Sequence, residues 1–96
     1  MKRTHPKTIG EILDEFFQRP YVARKIAEGH IPDYWREIVG AHIADVTTEL
    51  RLERGILHVV VNSGVVRKEL FYQRDRLAAE LNSRAGHDIV RSIVVR

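Results

Sequence analysis

At 96 residues and 11.1 kDa the chain has room for one small domain and excludes a second. A composition of 44% hydrophobic, 30% charged and 7% aromatic residues is that of a folded globular protein. The absence of cysteine removes disulfides, thiolate nucleophiles and cysteine-held metal or cluster sites, and fits a reducing cytoplasm. The net charge of +3 is unevenly spread: residues 1–53 hold 8 Lys/Arg against 9 Asp/Glu, whereas residues 54–96 hold 8 against 4. Such a C-terminal basic surplus fits either a nucleic-acid partner or a solvated face. Met1 to Lys7 is basic but leads into an amphipathic segment, so it is no signal peptide. No apolar run approaches the roughly 20 residues of a membrane span, and the expectation is a soluble, cytoplasmic protein without a membrane partner.

Residues 1–7 read as a loose basic arm, and residues 8–96 as a single continuous domain. Thr8 precedes Ile9, Ile12, Leu13, Phe16 and Phe17, whose spacing of i, i+3, i+4, i+7, i+8 places all five on one helical stripe. Thr8 with Glu11 three residues on forms a capping box. Pro20 ends this helix and opens a second, Tyr21 to Glu28, closed by Gly29. Pro32 opens a third, in which Ile31, Trp35, Ile38 and Val39 share a face, and Gly40 is a candidate for the left-handed position after its end. A short helical continuation reaches Ile43.

The period then changes from helical to alternating. Thr48 to Glu53 reads as a half-buried strand and Ile56 to Val61 as a denser β-branched one, with Arg54-Gly55 as the hairpin turn. Ser63 caps a long helix from about Val65 to Arg84, buried along Val66, Leu70, Leu77 and Leu81 and stopped at Gly86. Ile89 to Val95 reads as a last strand, too apolar for a solvent-facing edge, which packs centrally or against another chain. The element order is ααα-ββ-α-β: an α+β fold whose three-stranded sheet is packed against helices, with a crossover helix before the last strand.

The sequence lacks the usual marks of catalysis. Its six glycines are scattered and open no phosphate-binding loop, and its five histidines never fall at the i, i+4 spacing of a helical metal site. No metal, cofactor or catalytic residue is expected, and an enzyme is not. The long helix does carry a candidate binding surface. Arg67 and Arg74, seven residues apart, lie nearly in line beside the buried leucines with Phe71 between them, while Lys68, Tyr72 and Arg76 project elsewhere; Arg67, Lys68, Phe71 and Arg74 are the candidate binding residues. Such a stripe could hold a phosphate backbone and stack a base. The plainer reading is that Phe71 is core, with the arginines folded around it or paired with acids on the neighbouring helices. Trp35, in phase with Ile31, Ile38 and Val39, reads as a core anchor.

One set of marks occurs in a distinctive order: Trp35, Ile38-Val39-Gly40, Ala44, Thr47, Leu52, Gly55-Ile56-Leu57, Val59, Ser63, Glu69-Leu70, Leu77, Asn82 and the Ile89 to Val95 segment. This combination resembles the DciA family over nearly the whole chain, from about Ile9 to Val95. The resemblance implies a small KH-like domain and a part in bacterial DNA replication as a partner of the replicative DNA helicase that helps place it on single-stranded or double-stranded DNA. It implies no ATPase motif, in keeping with the missing P-loop. Many family members carry a further basic or disordered segment, whereas this chain is expected to be almost entirely the domain. Lys68 stands where the family commonly has Gln. No G-x-x-G loop joins two helices, so a KH-type clamp on four nucleotides is not expected. From other classes, a protein–protein module, including a homodimer through the last strand, or an RNA-binding module would also fit the fold.

Overall fold

A computed structural model describes residues 6–96. The loose arm read at residues 1–7 falls for its first five positions outside the described residues, and Lys7 forms an ion pair with Glu15. Three helices come first: α1 (Ile9–Gln18), α2 (Pro20–Gly29) and α3 (Ile31–Asp45). Then follow β1 (Thr47–Glu53), β2 (Ile56–Val61), α4 (Gly64–Tyr72), α5 (Arg74–Ala85) and β3 (Ser92–Val95). The fold is α+β, with helices packed on a mixed sheet ordered β1-β2-β3.

The local signals work as chemistry requires. Thr8 accepts the Glu11 N–H at 3.1 Å while Glu11 accepts the Thr8 N–H at 2.9 Å, which completes the capping box. Gly40 interrupts α3 at φ 88°, ψ 165°. The positive φ was foreseen, but this is the extended region that only glycine enters readily, not the left-handed helical one. Arg54 and Gly55 both take positive φ, 53° and 82°, as a two-residue hairpin of the primed type needs. A Cβ at Gly55 would also stand 2.7 Å from Arg91 Nε, so that exposed side chain would have to move aside. Gly86 stops α5 in the left-handed conformation.

Antiparallel β1 and β2 pair Leu52 with Leu57 and Leu50 with Val59, and parallel β3 sets Ile93 beside Leu57 and Val95 beside Val59. Because side chains alternate across a strand, these residues share one face of the sheet. Trp35, Ile31, Leu70, Leu77 and Leu81 cover that face and make the core. Trp35 is 2% exposed, and its Nε1–H donates to Thr47 Oγ1 at 3.1 Å. Thr47 in turn donates to the Ile43 carbonyl at 2.8 Å, so one hydroxyl joins the end of α3 to the start of β1. The core anchor read at Trp35 is therefore confirmed.

Two expectations need correction. The single long helix is two, broken at Gln73 (φ −106°, ψ 14°). No glycine or proline marks the break; it lets Leu70 on α4 and Leu77 and Leu81 on α5 all reach the sheet. The last strand is also shorter than Ile89 to Val95, and it forms an edge of the sheet, β2 being the central strand. Ile89 and Val90 earn their apolarity in a loop. Asn82 Oδ1 accepts both their N–H groups at 2.9 Å, and Asn82 Nδ2 donates to the Val90 carbonyl at 2.8 Å. This clasp buries both side chains under the end of α5 without strand pairing.

Candidate partner-binding surface

The surface that the sequence singled out lies on α4 and the first residue of α5. Ser63 Oγ accepts the Val66 N–H at 3.3 Å and starts the helix directly after β2. Leu70 faces the core, which turns Val65, Lys68, Phe71 and Tyr72 to solvent. Phe71 is 47% exposed, so the reading of it as core is overturned. Tyr72, 72% exposed, meets it edge-on with ring centroids 5.8 Å apart.

Phe71 and Arg74 are brought together. The Arg74 guanidinium carbon stands 3.8 Å from the Phe71 ring centroid, and its Nε donates to the Phe71 carbonyl at 2.8 Å. The break at Gln73 leaves α4 carbonyls open at its C-terminus, where a cation is favoured. Arg74 occupies that place with its guanidinium over the ring. Arg67 is anchored elsewhere: its Nη2 donates to the Val61 carbonyl at 3.3 Å, at the end of β2. The continuous stripe expected from a single helix is thus divided into a stacked Phe71–Arg74 pair and an Arg67 fixed beside the sheet, with exposed Lys68 on the same helix.

Charge distinguishes these side chains from four of the other arginines. Among the described residues, Arg36, Arg51, Arg76 and Arg84 each meet a carboxylate. Arg67, Lys68 and Arg74 meet none within ion-pair distance, so their positive charge faces solvent uncompensated. An aromatic pair beside immobilised guanidinium groups suits a planar base, a phosphate or an acidic, partly apolar protein surface. Sequence reasoning missed Tyr72 and Val65, because the phase of one unbroken helix directs them away from the stripe.

The described residues contain no cluster of three or more potential metal ligands. A groove of about 590 Å³ lined by His30, Asp33, Tyr34, Arg36 and Glu37 is wide open to solvent. No helix among them is long and apolar enough to cross a membrane.

The described residues thus form a small α+β domain with an exposed basic and aromatic helix. Residues 8–95 match the family model described as "Dna[CI] antecedent, DciA", and the chain belongs to that family. It is 27% identical over 90 residues to UPF0232 proteins of Mycobacterium ulcerans and Mycobacterium marinum, and 24% identical to one of Mycobacterium leprae. Each alignment covers 94% of this chain and 48% of the relative, so the chain spans about half the length of these relatives. No solved structure matches it.

Proposed function

We propose that the chain is a non-enzymatic adaptor of bacterial DNA replication, acting in the cytoplasm, that binds the replicative helicase and assists its placement on DNA. Membership of the DciA family across residues 8–95 carries this reading. The α4 surface supplies the means: Arg67, Lys68, Phe71 and Arg74 make the contact with helicase or with nucleic acid. The mixed sheet with helices on one face supports a KH-like reading. In the absence of a G-x-x-G loop, nucleic acid is held by side chains, which makes its binding weak and salt-sensitive.

Titration of the Arg67→Glu, Arg74→Glu double variant against purified replicative helicase and against single-stranded DNA, in one buffer, tests the proposal. Helicase affinity should fall at least about tenfold, chiefly through slower association at low salt. The salt dependence of DNA binding should become shallower by about one phosphate contact per arginine. Thermal stability should fall modestly, by about 1–2 kcal/mol in all, because the Arg67 bond to the Val61 carbonyl and the Arg74 contacts with Phe71 are lost. Parent-like binding of both ligands by the double variant would remove α4 from the mechanism.

A further inference from the structure

α1 is built as a packing helix and packs on almost nothing. Its five large apolar residues are exposed: Ile9 by 74%, Ile12 by 51%, Leu13 by 47%, Phe16 by 45% and Phe17 by 47%. No residue of α1 is buried. The molecule is correspondingly long, 68 × 22 × 18 Å, with a radius of gyration of 17.7 Å, where a compact chain of this length has about 13 Å. α1 therefore stands away from its own core, joined to it through α2.

We infer that this face is covered by the same face of a second copy, the two α1 helices packing antiparallel about a two-fold axis. The stripe repeats at i, i+3, i+4, i+7 and i+8, which is the pattern that receives another helix. Charge is compatible with self-pairing, because Glu11, Asp14 and Glu15 all lie off the stripe and point away from a partner laid on it. An uncharged stripe offers nothing to select an acidic or basic ligand, but it is complementary to itself. Antiparallel packing also opposes the two helix dipoles favourably.

Area agrees with this choice. At the observed exposures the five side chains present about 500 Å² of apolar surface per copy. A standard stable interface takes about 800 Å² per partner, so the pair belongs to the small, transient class of contacts and should be weak and reversible. A two-fold contact of this kind is closed, so it ends at a dimer. It leaves α4 of each copy uncovered.

Sedimentation equilibrium of the whole chain between about 5 and about 500 µM, the range of a moderate dissociation constant, tests the inference. The parent should pass from the 11.1 kDa monomer toward twice that mass. Ile12→Glu with Phe16→Glu should remain monomeric throughout, with the same melting temperature for the body, because these side chains touch no core residue. A parent that stays monomeric overturns the inference, whether or not its α1 binds some other protein. A double variant that dimerises like the parent also overturns it, and places the contact elsewhere, such as the β3 edge. Neither result bears on helicase binding through α4, which is read in a separate titration.

Discussion

The N-terminal arm and the body of this domain invert the usual relation between sequence signal and structural role. α1 has the cleanest amphipathic stripe in the chain and a complete capping box, yet buries no side chain. α4 and α5 have blurred patterns and a break that nothing in the sequence announces, yet they bury Leu70, Leu77 and Leu81 to 3% exposure or less. A helix on the rim of a core needs only a few apolar residues, aimed by its neighbours. One that must be completed from outside needs a full stripe, because it has no neighbours to aim it. Amphipathicity thus establishes that a face is to be covered, and the fold decides by what.

The largest effect should come from the body. Trp35→Ala removes a 2% exposed indole and leaves Thr47 Oγ1 without its donor, so unfolding free energy should fall by about 3–5 kcal/mol. Chemical denaturation would measure it, with binding lost only in proportion to unfolding. A variant that melts like the parent but loses its partner would instead make Trp35 an anchor for that partner. The comparison would then break, since body and arm would both serve binding.

Next comes the Asn82 clasp. Asn82→Ala leaves the Val90 N–H without its acceptor beneath buried side chains, at about 1–3 kcal/mol if water cannot reach it, whereas the Ile89 N–H loses one of two acceptors and keeps the His87 carbonyl at 3.0 Å. Hydrogen exchange at these two amides should accelerate more than exchange in β2. Uniform acceleration across the sheet would show that the clasp is part of the global core and not a local staple.

How much of this was readable from residues depended on range. Capping at Thr8, the hairpin at Arg54-Gly55, the stop at Gly86 and the core phase of Trp35 depend on neighbours within a few positions, and they emerged correctly. The Gln73 break did not, because it serves the simultaneous reach of Leu70 and Leu77 to a sheet formed by distant segments. For the same reason Ile89 and Val90 passed for strand: apolarity reports burial, and only Asn82, seven and eight residues earlier, shows that a side chain takes the place of a strand partner. Of the candidate surface, the residue types were legible and their arrangement was not. Arg67 and Arg74 share a line only on an unbroken helix, and the stacking of Arg74 on Phe71 arises at the break itself.

The smallest effect belongs to the arm and sharpens the comparison by pH. Glu11 has its pKa held below the ordinary carboxylate range, first by the Thr8 backbone N–H that it accepts and then by the Thr8 side chain. A carboxylate with a depressed folded pKa contributes stability above its unfolded pKa and loses it as pH falls through the folded one. Acid should therefore weaken the cap of α1, and the loss should develop only once the pH drops beneath the usual carboxylate range. The body has no buried charged or polar residue to respond in the same window. At concentrations low enough to keep the chain monomeric, the far-UV signal should lose a small helical fraction while Trp35 fluorescence stays constant, and Glu11→Gln, which keeps an acceptor for the Thr8 N–H but does not titrate, should abolish the acid-induced loss. Simultaneous loss of both signals would mean that the capping box is coupled to the core, and that the arm is a working part of the body after all.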